Sequence, residues 1–308
     1  MTNLWYPGFK ESPVQGLIGA GGGVGSNLSS GGVVRPPDDG DRAGKTGATY
    51  FWDLGEIASG TGGDGGLVDE EKGNANRDLA TYARSTTMNF EVNPVPLTGI
   101  LSPPGIYNVA ELGKSATFIT SDNDNRQGIN CSGDFQVAYF GYLTSAINYT
   151  YQPWEQKYVT NFNGGFPDNS LDTRTYSTFV MFWESGAEYS RWDYCAADYQ
   201  SRIAEATSAT DIRPEPNVWF YHKSGRDGND FKQEVLTWDG SSWSNSHSGQ
   251  GGGAVTTSMS ATTAGVVGNA TAQSFSLFSA FHSGRGMAGY AACASYYSGS
   301  YPSGVPSD

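Results

Sequence analysis

The chain has 308 residues and a mass of 32.8 kDa, and its 31 acidic against 18 basic side chains give a net charge of −13. So acidic a surface repels phosphate backbones and excludes nucleic acid as the main partner, and no apolar run reaches the 18 or so residues of a membrane span. Aromatic residues make up 13% and charged residues only 16%, which excludes a disordered polar chain and argues against long exposed helices.

Residues 1–66 form the first zone. Seventeen of the 42 glycines fall between Gly16 and Gly66, and no helical or alternating pattern survives among them. The opening Leu4-Trp5-Tyr6-Pro7-Gly8-Phe9 is an apolar knob on a strap, which orders only by docking on something. Residues 1–66 are therefore read as a Gly-rich N-terminal docking arm. The first residues show no basic stretch followed by an apolar one, so no secretory leader is readable and folding in a cytosol is expected. Cys131, Cys195 and Cys293 are too few and too far apart for a disulfide framework or a zinc cluster. Three reduced, buried thiols are the simplest expectation.

The stretch 67–87 predicts a short helix, with Asp69-Glu70-Glu71 at its start and Leu79–Arg84 continuing it. A second helix is predicted over Cys195–Thr207, where alanines and Ile203 recur at helical spacing. Nearly everything else reads as strands. Met88–Val95, Ala116–Thr120, Asp134–Tyr142 and Ala146–Tyr151 come first. Tyr176–Trp183, Val218–His222, Glu234–Trp238, Ala254–Ser260, Ser274–Phe281 and Ala288–Tyr297 follow, all rich in aromatic and β-branched residues. About ten strands at short spacing predict an all-β fold of antiparallel sandwich or jelly-roll units, with one or two short helices. The expected organisation is the arm, a first β-sandwich domain at 67–165 and a second at 166–308. Trp238-Asp239-Gly240-Ser241-Ser242-Trp243 is the clearest hairpin. Ala116–Ser121 with Asp134–Tyr142 is echoed by Ser274–Ala280 with Ala288–Tyr297, as two tandem sandwiches or a chance match of strand–turn–strand units would produce.

The motifs that suggest chemistry weaken on inspection. Leu17–Gly25 lacks the third glycine and the leading strand of a dinucleotide site. Gly40–Thr46 is one residue short of a phosphate loop and follows Pro36-Pro37. Asp122 and Asp124 in Ser121–Asn125 are the best metal candidates. Asp-x-Asp on a tight turn offers calcium two carboxylates, although the EF-hand pattern breaks at Arg126. Asp227-Gly228-Asn229-Asp230 is a similar turn. No nucleophile elbow accompanies His222, His247 or His282. Glu184, Glu188 and Asp193 include a potential carboxylate pair for glycoside hydrolysis. Trp183, Trp192, Trp219, Trp238 and Trp243 crowd one part of the chain, and Trp192 and Trp243 are the candidate glycan-stacking residues. Trp219 and Tyr221 share a face opposite Val218, Phe220 and His222. One face is expected to be core and the other a contact surface.

The opening Asn3-Leu4-Trp5-Tyr6-Pro7-Gly8-Phe9-Lys10 with its Gly-rich strap, and hairpins such as Leu236–Trp243, resemble the virion structural proteins of tailed phages, tail-fibre or decoration subunits among them. The resemblance implies a homo-oligomeric, non-enzymatic part; no cofactor is expected, calcium at the Asp122–Asp124 turn apart. It would be assembled in the host cytoplasm and work outside the cell as part of a virion. Its arm would dock on copies of itself and on other virion proteins, with Trp5, Tyr6 and Phe9 as anchors by the aromatic hot-spot argument. Its β domains would face outward toward host surface glycan. The alternatives are a glycan-binding, adhesive cell-surface protein and a polysaccharide hydrolase.

Overall fold

A computed structural model describes residues 44–54, 60–61, 67–68, 71–73, 79–82, 89–92, 106–108, 117–120, 129–130, 133–143, 151–158, 177–184, 189–195, 202–208, 211–258, 273–277 and 289–305. In chain order the first strands are β1 (Tyr50–Asp53), β2 (Gly60–Thr61), β3 (Leu67–Val68), β4 (Leu79–Tyr82), β5 (Asn89–Val92) and β6 (Ile106–Asn108). Then come β7 (Thr117–Thr120), β8 (Phe135–Leu143), β9 (Tyr151–Tyr158), β10 (Ser177–Glu184), β11 (Tyr189–Cys195) and β12 (Arg202–Ser208). The last are β13 (Trp219–Asp227), β14 (Asp230–Trp238), β15 (Trp243–Ser244), β16 (Gly253–Ser258), β17 (Gln273–Leu277) and β18 (Gly289–Ser298).

The strands form two antiparallel sheets. The ten-stranded sheet runs β15-β14-β13-β8-β18-β6-β5-β2, with β1 also on β18 and β16 also on β14; the eight-stranded sheet runs β12-β11-β10-β9-β17-β7-β4-β3. β8 is hydrogen-bonded between β13 and β18, so strand pairing crosses residue 165. The sheets meet face to face where Trp52 of β1 stacks on Phe275 of β17, 5.5 Å between centroids. The expected antiparallel sandwich is therefore what the sequence builds.

The two predicted helices are corrected, since no described residue is helical. Leu79–Tyr82 is strand β4, held between β3 and β7, and Arg202–Ser208 is β12, paired with β11. In β12, Ile203 and Thr207 sit four apart, a spacing that places residues on one side of either a helix or a strand. The sheet edge decided between them. Residues 71–73 form a turn in which Gly73 takes φ +90°. β9 starts at Tyr151, where the predicted strand ended, and carries Pro153 as its third residue at an irregularity of the pairing. The β9–β10 register shifts there, between Met181 paired with Trp154 and Trp183 paired with Tyr151.

The internal echo has a spatial counterpart. β7 pairs with its echo β17 in one sheet, and β8 pairs with its echo β18 in the other. The two similar stretches thus lie side by side across the same sandwich.

Register and alternation place Trp52, Tyr139, His222, Ala294 and Tyr296 on the inner side of the ten-stranded sheet. Tyr139 meets both Phe220 and His222 edge-on, at 5.5 and 5.3 Å. Gly141 lies opposite Phe220, and a Cβ there would come within 2.7 Å of that ring. The glycine makes room for the aromatic.

Candidate functional site

The outer side of the ten-stranded sheet carries Gln136, Ala138, Phe140 and Tyr142 of β8. Beside them by register stand Trp219, Tyr221 and Lys223 of β13, then Glu234 and Leu236 of β14. Antiparallel sheets commonly show water a polar face here. This one shows a second aromatic cluster. Phe140 stacks on Trp219 at 4.9 Å, and Tyr142 leans on Trp219 at 5.2 Å. Trp243 meets Phe140 edge-on at 5.7 Å, and Trp238 lies 5.4 Å from Trp243. Phe140, Tyr142 and Trp219 are buried, while Trp238 and Trp243 at the rim are half-buried. The expectation of one core face and one open contact face is thus corrected. Trp219 and Tyr221 are buried like Phe220 and His222 on the inner side, because turns and the segment after β18 cover the outer face.

The rim is shaped by the predicted hairpin. Trp238 pairs with Trp243, and Gly240 between them takes φ +103°, a left-handed conformation that favours glycine. Asp239 Oδ1 accepts the backbone N–H groups of Ser241 and Ser242, both at 2.8 Å. Those bonds, Ser242 first, hold its carboxyl down at about 2, so it stays ionised. His247 Nε2 lies 3.3 Å from Asp239 Oδ2, and its Nδ1 lies 3.2 Å from Thr237 Oγ1.

Hydroxyl, imidazole and carboxylate in line have the outline of a nucleophile relay. Thr237, however, is fully buried and donates its hydroxyl proton to the Ser244 carbonyl at 3.3 Å. A buried hydroxyl with its proton already given cannot meet a substrate. The line works as a brace on the hairpin, with Asn245 adding a bond from its amide nitrogen to Glu234 Oε1 at 2.8 Å. The sequence offered no signal for this brace, since Thr237 and His247 belong to different loops and strands.

Asp239, Asn245 and His247 therefore surround two half-exposed indoles that a buried aromatic ladder supports from beneath. Trp238 Nε1 has no hydrogen-bond partner among the described residues. A rigid aromatic platform with polar groups at its edge can stack on a sugar ring and fix its orientation.

The other sequence candidates fall elsewhere. Trp192 sits in β11, paired with Met181 and Ala206 in the other sheet. Trp5, Tyr6, Phe9, Asp122 and Asp124 lie outside the described residues. Asp227 and Asp230 close the β13–β14 hairpin, where Asp227 binds Lys232 and Asp230 accepts the Ser258 hydroxyl at 2.6 Å. Among the described residues no three His, Cys, Asp or Glu side chains are grouped to hold a metal. Asp193 lies opposite Val180, and Glu184 opposite Tyr189. Glu188, the third of these acids, lies outside the described residues. Cys293 is buried in the outer cluster.

No protein-family model matches the sequence, and no curated protein matches it. Among solved structures, the enzymatically active domain of tailspike protein 2 from bacteriophage CBA120 is similar at 12% identity and a TM-score of 0.42, over 69% of this chain and 27% of that one. A carbohydrate esterase of the Shiga toxin-encoding bacteriophage phi24B is similar at 13% identity and a TM-score of 0.37, over 74% and 94%. Arcelin-5, a lectin-like defense protein from Phaseolus vulgaris, is similar at 12% and 0.35, over 67% and 90%. The chain spans about a quarter of the length of the tailspike chains it matches. No helix among the described residues is long and apolar enough to cross a membrane.

Proposed function

We propose that the chain is a non-enzymatic structural subunit of an extracellular-facing assembly of the phage-virion kind, and that it contacts surface glycan through the Trp238–Trp243 rim. One observation carries the glycan part. Two half-buried indoles stand 5.4 Å apart on a braced hairpin, with ionised Asp239, His247 and Asn245 beside them. Stacking area and hydrogen-bonding groups are then held in place before a ligand arrives, which lowers the ordering cost of binding.

The assembly part rests on the aromatic N-terminal strap and its proposed anchors Trp5, Tyr6 and Phe9. Deleting residues 2–12 is expected to abolish incorporation into particles and leave the β domains folded.

The test of the glycan part is a panel of bacterial surface glycans presented to the full chain. Saturable binding is expected, with a loss of tenfold or more in Trp243→Ala and no such loss in Trp192→Ala. Circular dichroism would check that both variants stay folded. Binding lost in Trp192→Ala and kept in Trp243→Ala would move the site to the other sheet. No binding across the panel would leave the chain a purely structural part.

A further inference from the structure

The segment that follows β18 lies across the outer face like a docked peptide. Lys223, almost wholly buried, donates to the carbonyl oxygens of Pro302 at 2.9 Å and Gly304 at 3.2 Å. It also holds Glu234 Oε2 at 2.7 Å. The Tyr301 ring sits 5.3 Å from the Lys223 ammonium and 5.6 Å from that of Lys232. It lies on the side of the sheet where Gly225, opposite Lys232, offers no side chain. Val305 packs against the outer aromatic cluster. These contacts make a seat: two cations clasp one aromatic ring, and one of them reads the main chain on either side of Ser303.

The seat is not fully satisfied by its occupant. Gln136, fully buried and paired by register with Tyr297 and Gly225, has no partner for either amide atom among the described residues. The buried Tyr301 hydroxyl has none either. Orphaned buried polar groups oppose docking, so the segment is held less tightly than its clasp alone would dictate. The connection to β18 suits release. Ser298, Gly299 and Ser300 are exposed; the Gly299 N–H is anchored on the Asp134 carbonyl at 2.7 Å, and Gly299 takes φ +74° with room for a side chain, a fixed pivot from which the residues after it can swing. Residues 298–307 carry no charge, so the like charge of two acidic chains does not bar this segment from a neighbour's lysine-lined seat.

We propose that this seat is an exchangeable docking site for residues 299–305, filled either by the chain's own segment or by the same segment of a second copy, which links copies through the outer sheet face. Every contact in the clasp is then reproduced in the exchanged form, so linking needs no new interface chemistry. The inference does not depend on glycan binding. It differs from the N-terminal arm in using residues at the other end of the described chain.

The experiment is the mass of the full-length chain by light scattering across a concentration series, with and without an excess of synthetic peptide 298–308. The same peptide with Tyr301 replaced by Ala is the control. Masses of at least twice 32.8 kDa are expected at high concentration, returning to one chain with the peptide and unchanged by the control. Full-length Tyr301→Ala, if it folds, is expected to stay a single chain throughout. A single-chain mass at every wild-type concentration would overturn the proposal, and so would a larger assembly that the peptide leaves intact. In the latter case a mass that falls on deleting residues 2–12 would assign assembly to the N-terminal arm instead.

Discussion

The two sides of the ten-stranded sheet are both lined with buried aromatics, yet they are closed in different ways. The inner side is closed by a second sheet, as the Trp52–Phe275 stack shows. The outer side is closed by the chain's own margins. The turn at 44–47 takes the Tyr297 hydroxyl on the Gly44 carbonyl at 2.9 Å, residues 301–305 cover Lys223, and the β14–β15 hairpin leaves its two tryptophans half in water. A sheet against a sheet cannot open without unfolding, whereas a thin cover can be exchanged or can end at a rim. The inner side therefore holds the fold, and the outer side is the one proposed for contact.

The sharpest way to break that assignment is Trp52→Ala. Losing a buried indole between the sheets should cost about 3–5 kcal/mol, read as a lower urea midpoint at an unchanged slope. A smaller loss than that of Trp243→Ala would reverse the roles of the two sides.

Acid probes the inner side next. Burial pushes His222 down to about 3, so the folded chain keeps it neutral while the unfolded chain protonates it below about 6.5. The stabilisation is complete above pH 6.5 and is lost progressively as pH falls toward 3. Between pH 6.5 and 5 this amounts to about 2 kcal/mol for one proton. Urea midpoints at several pH values check it, and His222→Gln should flatten that part of the profile.

Smaller effects belong to the outer side. Tyr142→Phe removes the hydroxyl that donates to Asn217 Oδ1 at 3.0 Å, and a loss of about 1 kcal/mol is expected in the same denaturation assay. Gly240→Ala forces a side chain into φ +103° and should cost about 1 kcal/mol. Glycan affinity should fall with it, because the hairpin sets the angle between Trp238 and Trp243. A variant that loses stability but binds as before would separate the rim from its hairpin.

Much of the fold was legible because its signals are local. β8, β10, β13 and β18 announce themselves through runs of aromatic and β-branched residues. Asp239-Gly240 marks a turn whose positive φ only glycine adopts easily. Local signals misled at β4 and β12, short segments with helical spacing that strand pairing claimed instead, β4 between β3 and the distant β7 and β12 on the neighbouring β11. The candidate site was half legible. Trp243 was identified by type and neighbourhood, but Trp238 joins it as a platform only because the strands pair them. His247 gained its place from Asp239 and Thr237, whose convergence no spacing rule announces.

By itself, then, the sequence determined where strands run, where they turn and that the chain is an antiparallel β protein. Those properties follow from side-chain alternation and from glycine's backbone freedom, both of which act within a few residues. Only the tertiary structure decided that Phe140 lies opposite Cys293, that both faces of one sheet are buried and that residues 301–305 fill a seat around Lys223. Those outcomes depend on which distant surfaces meet, and burial is a property of the whole packing that no single strand's pattern contains.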